Sequence, residues 1–245
     1  MQINSLSIIF PLFNEEKRLP KNLKKITKLL SQLKEIDFEI ILINDGSKDR
    51  SDNIIVEYLN TYENKKFNKI KYFFYKKNRG KGFALKKGIS LAKKKWLLTC
   101  DIDFAANPNN ILNWCKRNYI KSNYACYFGS RNIKNSQIKY RYLRKIIGET
   151  FTFFRKLLFK IKTSDSQCGF KLYPKKIANT IFASLKNYGY IHDVEVLILL
   201  KKNKIKIYEL PVKWTHMPGS KVNLIIDSIK MFFQLFYLKI IYRNV

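Results

Sequence analysis

The first part of the chain alternates short apolar runs with amphipathic stretches. Four runs are short and apolar, as strands buried on both faces are: residues 6–10, 38–43, 70–75 and 96–99. Three stretches between them repeat apolar side chains at helical spacing: residues 19–33, 51–62 and 82–92. This strand–helix alternation predicts an α/β fold, with a doubly wound, mostly parallel sheet that has helices on both faces.

The second part of the chain has longer helical stretches. Strands are predicted at residues 124–128 and 205–212, and at the end of a polar loop over 164–173. Helices are predicted at residues 140–162, 190–200 and 222–242. Because no repeat or linker interrupts the chain, we expect one domain over residues 1–221 and an amphipathic C-terminal helix over 222–245.

Polar clusters follow three of the predicted strands, at residues 14–15, 44–47 and 101–103. Ligands of a parallel α/β sheet bind beyond the carboxyl ends of its strands, so these clusters predict a ligand site. Asp101 and Asp103 stand one residue apart at such an end, where two carboxylates can bind one hard cation, Mg²⁺ or Mn²⁺. A metal there can stabilise a departing diphosphate. The alternative is a polar turn that caps the next helix.

Asp45 and the segment 78–82 are further candidates at the same edge of the sheet. The Asp45 carboxylate either accepts hydrogen bonds from a nucleobase or ribose, or only shapes a glycine turn. In the segment 78–82, Gly80 and Gly82 flank Lys81 at a predicted helix start, where backbone N–H groups bind phosphate. The segment matches neither a Walker A motif nor a G-x-G-x-x-G motif, so an ATPase and a dinucleotide enzyme are disfavoured.

The chain is strongly basic. It has 48 Lys and Arg residues against 18 Asp and Glu residues, a formal net charge of +30. Such a field attracts nucleic acid, anionic lipid headgroups or phosphorylated substrates, and solvated surface lysines are the alternative explanation. Helix 140–162 combines Arg155 and other basic residues with aromatic side chains, which predicts a contact with a membrane surface. The terminal helix is a second candidate for that contact, or for an interface between two copies; the alternative is that both helices pack on the sheet.

Cysteine and histidine usage disfavours several kinds of site. The four cysteines form no C-x-x-C pair and the chain has only two histidines, so neither a zinc site nor a Ser–His–Asp or Cys–His triad is expected. Scattered cysteines are typical of a reducing compartment. No stretch reaches the roughly 18 to 20 uncharged apolar residues of a membrane span, and we expect no signal peptide.

Eight segments together resemble family-2 glycosyltransferases of the GT-A fold. They are residues 10–16, 44–47, 78–82, 101–103, 128–131, 165–171, 192–195 and 214–221. The run Asp165-Ser166-Gln167-Cys168-Gly169-Phe170-Lys171 and the run 214–221 are most similar to dolichyl-phosphate β-glucosyltransferases and their bacterial polyprenyl-phosphate relatives.

The resemblance implies a role for each matching residue. The implied nucleotide-sugar site consists of Pro11, Phe13, Asn14, Glu15, Asp45, Gly80, Lys81, Asp101 and Gln167. The implied metal ligands are Asp101 and Asp103, and the implied catalytic set adds Arg131 and Asp165 to them. Arg131, Ser220 and Lys221 would attract the acceptor phosphate. The nucleotide-sugar half of the domain would end near residue 105, and the acceptor half would cover 106–221.

The resemblance also implies a reaction and a location. A hexose, glucose from UDP-glucose, would move with inversion to a polyprenyl or dolichyl phosphate in a single displacement. The acceptor phosphate is ionised at neutral pH, so no strong general base is needed. We expect a peripheral protein on the cytosolic face of a membrane.

Other functions remain open at this point. Within the family, the acceptor could be a saccharide in cell-surface glycan synthesis, or the donor GDP-mannose with a polyprenyl phosphate. Mannosyl relatives often have Gln where this chain has Ala105, which disfavours the second. A non-catalytic basic protein that binds nucleic acid or membrane is the alternative from another class. No nucleic-acid partner is expected, because Asp45, Asp101 and Asp103 would repel a polyanion.

Overall fold

A mostly parallel sheet forms the centre of the computed structural model, which describes residues 3–33, 35–61, 68–139, 142–217 and 226–243. The strands are β1 Ser5–Leu12, β2 Asp37–Asn44, β3 Ile70–Phe74, β4 Trp96–Thr99, β5 Ala125–Ser130, β6 Gln137–Lys139, β7 Lys171–Pro174, β8 Lys206–Pro211 and β9 Lys213–Thr215. Seven of them form one sheet in the order β3-β2-β1-β4-β7-β5-β8. Within it β7 runs antiparallel to β4 and β5, and the other neighbouring pairs are parallel.

Helices lie on both faces of this sheet. They are α1 Leu19–Gln32, α2 Ser51–Leu59, α3 Lys81–Leu91, α4 Asn110–Lys116, α5 Tyr142–Phe159, α6 Lys175–Ala183, α7 His192–Lys202 and α8 Ile226–Ile241. The predicted α/β class is confirmed. The predicted strands and helices are found within a few residues of their bounds, except that α2 already ends at Leu59.

The two faces of the sheet build two hydrophobic cores, because side chains of a strand alternate between its faces. On β1, Ile8 and Phe10 join a core with α1, α2 and α4. Ile9, between them, joins the second core with α3, α6 and α7. Both sets are buried, so the strands read as continuous apolar runs rather than as alternating ones.

Four elements lie outside the predicted ranges, namely helices α4 and α6 and strands β6 and β9. Helix α6 follows Pro174 directly, and its nine residues pack Ala178, Ile181 and Phe182 into the second core. Strands β6 and β9 pair in parallel as a separate two-stranded sheet. Each of these strands has only three residues, which is too short for a periodic signal, and their pairing joins parts of the chain far apart in sequence.

Helices α5 and α8 contact each other and cover part of the second core. Phe159, Leu235 and Leu238 are buried there, and the rings of Phe154 and Phe232 meet edge to face at 4.7 Å between centroids. The outer side of the pair leaves large apolar side chains exposed: Phe153, Leu157, Ile229, Phe233, Phe236, Tyr237 and Ile240. The alternative that the two helices pack on the sheet thus holds for their inner side, and the contact of their outer side with a membrane or a second copy stays a prediction.

The expectation that Arg155 belongs to a membrane-facing basic surface is wrong. Its side chain is fully buried. One guanidinium nitrogen donates to the Ile161 carbonyl and to the Thr163 hydroxyl, each at 3.2 Å, and the other donates to the Thr163 carbonyl. Arg155 therefore holds the segment after α5 in place instead of meeting headgroups.

Among the described residues, no helix is both long enough and apolar enough to cross a membrane.

Candidate active site

A cavity of about 630 Å³ opens beyond the carboxyl ends of the parallel strands, where the fold predicts a ligand site. Its wall brings together most of the residues that the sequence singled out. Those lining it are Pro11, Phe13, Glu15, Asp45, Gly80, Lys81, Asp101, Asp103, Arg131, Asp165 and Gln167. Helices α5 and α8 contribute Phe151 and Met231 to the same wall.

Asp101 and Asp103 share this cavity, each beside a cation of the chain. Lys81 Nζ lies 2.6 Å from Asp101 Oδ1, and Arg18 Nη1 lies 3.8 Å from Asp103 Oδ2. Burial, and then the charge of Asp101, raises the pKa of Asp103, although its hydrogen bond from the Ala105 N–H opposes the shift. Two carboxylates that share a partly buried pocket favour a nearby cation.

The carboxylate oxygens of Asp101 and Asp103 suit a hard divalent cation that also binds the phosphates of a nucleotide. Among the described residues, no group of three or more His, Cys, Asp or Glu side chains could hold a metal. The protein therefore offers the two carboxylates of Asp101 and Asp103. This is a usual arrangement for Mg²⁺, which binds one or two carboxylates and takes its remaining ligands from water and substrate phosphates.

Gly169 leaves the space that the Asp101 carboxylate occupies. A Cβ atom at this position would lie 2.6 Å from the carboxyl carbon of Asp101, much closer than two such atoms can approach. The run 165–171 thus passes directly against the acidic pair, which explains why a glycine stands in the middle of it.

Asp45 orders the loop that leads into α3. Its Oδ1 accepts a hydrogen bond from the Arg79 N–H at 2.8 Å, and its Oδ2 accepts one from the Gly80 N–H at 2.9 Å and one from Asn78 Nδ2 at 3.0 Å. Burial raises the pKa of Asp45 in spite of these bonds. Gly80 has a φ of 95°, and a Cβ there would overlap the backbone of Tyr188. Asp45 thus holds in place the loop before α3, which was predicted to bind phosphate. The contact of the Asp45 carboxylate with a base or ribose stays a prediction.

Asn14 and Glu15 have different surroundings. Asn14 joins two loops: its N–H donates to Ser47 Oγ at 2.8 Å, and its Oδ1 accepts from the Lys48 N–H at 2.7 Å. It is not among the residues that line the cavity. Glu15 does line it, and there it accepts hydrogen bonds from Nε and Nη2 of Arg18.

Arg18 is a cavity residue that the sequence analysis missed. It stands three residues after Glu15, a spacing at which opposite charges meet in a helical turn, and it also reaches toward Asp103. The charge pattern was therefore a usable signal. The link to Asp103, 85 positions further along the chain, depends on the pairing of β1 with β4.

Asp165 holds Arg131 by two parallel hydrogen bonds. Arg131 Nε and Nη2 donate to its two oxygens at 2.7 and 2.8 Å, and the Arg131 N–H adds a third bond at 3.0 Å. Burial alone would raise the pKa of Asp165, but the charge and hydrogen bonds of Arg131 lower it below its usual value. Asp165 is thus an ionised anchor for Arg131, as expected for a residue that orients groups instead of removing a proton.

His192 and Asp193 also line the cavity. Asp193 pairs with the buried Lys171, which also donates to the Ser166 carbonyl at 2.9 Å. Burial would raise the pKa of Asp193, but the neighbouring His192, Lys171 and Lys81 bring it down to about 2. Burial lowers the pKa of His192, whose Nδ1 lies 2.6 Å from the Gly189 carbonyl. Asp193 lies in the segment 192–195 that contributes to the family resemblance, but it was not among the predicted site residues.

Two of the predicted acceptor residues cannot be placed. Ser220 and Lys221 lie outside the described residues, as do the first two positions of the predicted helix 140–162 and the start of the predicted terminal helix. Trp214 and Met217, shortly before them in the chain, line the cavity. The ring of Trp214 lies beneath the Arg131 guanidinium, 5.4 Å from centroid to Cζ.

Comparison with known proteins identifies the family of this chain. The model of the family described as "Glycosyl transferase family 2" matches residues 7–182. The chain is 35% identical over 235 residues to a dolichyl-phosphate beta-glucosyltransferase of Dictyostelium discoideum, covering 92% of this chain and 71% of that protein. It is 31% identical to the protein of that name from Homo sapiens, covering 89% of this chain and 69% of that protein.

Solved structures share the fold at low sequence identity. Glucosyl-3-phosphoglycerate synthase from Mycobacterium tuberculosis, in complex with UDP, superposes with a TM-score of 0.65 at 14% identity, covering 96% of this chain and 79% of that one. Mannosyltransferase PcManGT from Pyrobaculum calidifontis, in complex with GDP-Man and Mn²⁺, gives 0.65 at 12% identity, covering 98% and 65%. The chain therefore belongs to glycosyl transferase family 2, and its fold is the GT-A fold that the motifs predicted.

Proposed function

We propose that this glycosyltransferase moves glucose from UDP-glucose to dolichyl phosphate or a related polyprenyl phosphate, with inversion, at the cytosolic face of a membrane. The similarity to dolichyl-phosphate beta-glucosyltransferases carries the proposal, because it extends over nearly the whole chain. It includes the segments that line the cavity.

The donor would bind at the acidic end of the cavity. Pro11, Phe13 and Glu15 would surround the base and ribose, and the loop that Asp45 orders would present Gly80 and Lys81 to the diphosphate. Asp101 and Asp103 would hold Mg²⁺ or Mn²⁺, which when bound neutralises charge on the departing diphosphate. The mannosyltransferase named above was solved with Mn²⁺, which supports this assignment.

The acceptor phosphate would bind at Arg131. Its guanidinium is fixed by Asp165 from one side and by Trp214 from another, so it can orient a phosphate oxygen toward the anomeric carbon of the sugar. Asp165 is committed to Arg131 and stays ionised, and the attacking phosphate is already charged. The displacement therefore needs no proton acceptor on the protein. Gln167 would lie near the sugar, and Ser220 and Lys221 would add to the acceptor site.

Helices α5 and α8 would rest on the bilayer. Their outer side exposes Phe153, Leu157 and Phe233, with the exposed lysines Lys156 and Lys230 on the same two helices. Aromatic and basic side chains together are typical of helices at an anionic membrane surface. Since the same helices line the cavity, this contact would bring the cavity to the level of the lipid headgroups, where the phosphate of a polyprenyl lipid lies.

A donor and acceptor panel tests the proposed reaction. The full chain, with dolichyl phosphate in anionic vesicles and Mg²⁺ or Mn²⁺, is given radiolabelled UDP-glucose or GDP-mannose. We expect organic-extractable label from UDP-glucose, a β linkage in the product, and loss of transfer with EDTA. Label on a soluble saccharide without dolichyl phosphate, or label from GDP-mannose alone, would support the competing assignments within the family. Absence of any transfer would support a non-catalytic protein.

The membrane contact is tested separately by flotation with anionic vesicles. Phe233→Glu should lower vesicle binding about tenfold, because it removes one large apolar side chain from the surface and adds a negative charge. Tyr124→Glu is the matched control: Tyr124 is also an exposed aromatic residue, 81% exposed, but it precedes β5 and so lies at the opposite end of the strand from Arg131. Equal binding of both variants would argue against the α5–α8 surface.

A further inference from the structure

Two cations of the chain already lie against the carboxylates that would hold a metal. Lys81 Nζ is 2.6 Å from Asp101 Oδ1, a direct ion pair, whereas Arg18 Nη1 is 3.8 Å from Asp103 Oδ2 and is engaged mainly with Glu15. The contact between Lys81 and Asp101 is thus the stronger of the two. An ammonium group hydrogen-bonded to a carboxylate oxygen occupies a position that a metal ion bound to that oxygen also needs.

The backbone beside Lys81 is held in place. A Cβ at Gly80 would lie 2.9 Å from the Tyr188 carbonyl carbon, and the Gly82 N–H donates to the Tyr188 carbonyl at 2.8 Å. Both neighbours are therefore packed against the segment before α7. If Lys81 leaves Asp101, its side chain must move while its backbone stays. The side chain is 30% exposed and lines the cavity, so it has room to turn toward a bound diphosphate.

The charge of Asp101 is already paired without a ligand. Lys81 forms the direct ion pair with it, while Arg18 is shared between Glu15 and Asp103. A divalent ion that entered alone would add two positive charges beside Lys81 in a partly buried pocket, where repulsion is only weakly screened. The diphosphate of a nucleotide-sugar brings about two negative charges, which offset those of the metal.

We propose that Lys81 is the resident counter-ion of Asp101, which a divalent metal must displace and which then pairs with the diphosphate of the nucleotide-sugar. The inference rests on the proposed function, since it needs a metal and a nucleotide donor. Lys81 then couples the two ligands: the metal frees Lys81 for the diphosphate, and the diphosphate draws Lys81 away from the metal site. Such coupling is reciprocal, so each ligand raises the affinity of the other by the same factor.

Mn²⁺ binding without nucleotide is the decisive measurement. Calorimetry or electron paramagnetic resonance gives the Mn²⁺ affinity of the wild-type chain and of Lys81→Gln. We expect Lys81→Gln to bind Mn²⁺ about tenfold more tightly than the wild type. This factor lies between the small effect of an exposed ion pair and the large effect of a fully desolvated one. The factor by which UDP raises Mn²⁺ affinity should fall by a similar amount. A merely structural role of Lys81 would not produce a gain in metal affinity.

Matched variants distinguish the Lys81–Asp101 contact from a general effect of positive charge on metal binding. Lys87→Gln removes one positive charge from an exposed position on the same helix, and it should leave Mn²⁺ affinity within about twofold of the wild type because solvent screens it. Lys81→Arg keeps a cation and should not gain affinity. Asp101→Asn should lose Mn²⁺ binding, which identifies the site. Lys81→Met provides the same comparison if the Gln variant does not fold.

The possible failures are distinguishable. Equal or weaker Mn²⁺ binding by Lys81→Gln, or an equal gain in Lys87→Gln, overturns the inference even when the wild type transfers glucose. Absence of Mn²⁺ binding in every variant also overturns it. Absence of glucose transfer by a wild-type chain that binds Mn²⁺ overturns the proposed reaction, because the metal affinities are measured without acceptor and do not depend on transfer.

Discussion

The proposed donor end and the proposed acceptor end of the cavity each pair an aspartate with a basic residue, but in different ways. At the donor end, Asp101 is 36% exposed and meets Lys81 through a single ion pair. At the acceptor end, Asp165 is only 3% exposed and binds Arg131 by two side-chain bonds and one backbone bond. A lysine ammonium is a flexible point charge, whereas the arginine fork matches a carboxylate in two places. The comparison indicates an exchangeable pair at the donor end and a permanent one at the acceptor end.

Of the variants considered, Asp101→Asn should have the largest effect. It should lower the activity and leave the stability nearly unchanged. Glucose transfer should fall by about 10³-fold, because one of two carboxylates for the metal is lost, while the free energy of unfolding changes little at this partly exposed position. Initial rates of organic-extractable label and urea unfolding measure the two quantities. Asp37→Asn, which removes an exposed carboxylate paired with Lys94, is the control and should keep its rate. A large loss of stability in Asp101→Asn would contradict the proposed exchangeable pair.

Asp165→Asn should act on stability as well as on activity. Removing one partner of a buried ion pair leaves the Arg131 charge without its anchor, so the free energy of unfolding should fall by about 3 kcal/mol. Urea unfolding of the variant and of Asp101→Asn at the same pH gives the comparison directly. Equal stabilities of the two variants would show that the two ends of the cavity do not differ in this respect.

Gly169→Ala tests whether the exact position of the Asp101 carboxylate matters at the proposed donor end. The added methyl group needs the space of the Asp101 carboxylate, so the carboxylate must shift by a few tenths of an ångström or more. We expect transfer to fall by about tenfold through misplacement of the acidic pair. Mn²⁺ affinity should fall with it. An unchanged rate together with unchanged Mn²⁺ affinity would mean that the exact position of Asp101 does not matter.

The smallest effect should be a pH dependence of the acceptor-end pair. Arg131 lowers the pKa of Asp165 below its ordinary value of 3.8, against the opposite effect of burial. The folded state therefore gains stability from this carboxylate fully above pH 3.8, and loses the gain as the pH falls through the folded-state pKa. The difference in unfolding free energy between wild type and Asp165→Asn should shrink from pH 7 to pH 3. A constant difference over that range would contradict the ion-pair explanation.

Much of the donor end could be predicted from local sequence. Asp101 and Asp103 follow a short apolar strand, and Gly80, Lys81 and Gly82 open a helix; neighbouring residues bring each of these groups to its place. The proposed acceptor end and the residues around Asp193 were harder to predict. Arg131 was expected only by resemblance. Its bidentate bond to Asp165, the pairing of Lys171 with Asp193 and the proximity of Arg18 to Asp103 join elements that are distant in sequence.

The basic helix 140–162 shows a limit of reading composition alone. Its basic and aromatic residues predicted a membrane contact, with packing on the sheet as the alternative, yet Arg155 is buried and Phe153 is exposed. Which side of a helix faces a core depends on what packs against it, here α8 and the segment after α5. Periodicity shows that a helix has two sides, but it does not show which partner each side will meet.

The sequence alone was enough for the α/β class, the family and the order of most strands and helices, because these depend on local periodicity and on short motifs within single loops. Only the tertiary structure decided how charges are shared in the cavity: Lys81 beside Asp101, Arg131 locked by Asp165, Arg155 withdrawn from the surface. The physical reason is that ion pairing and burial depend on distances between elements, and these distances are fixed by the packing of the whole sheet and its helices.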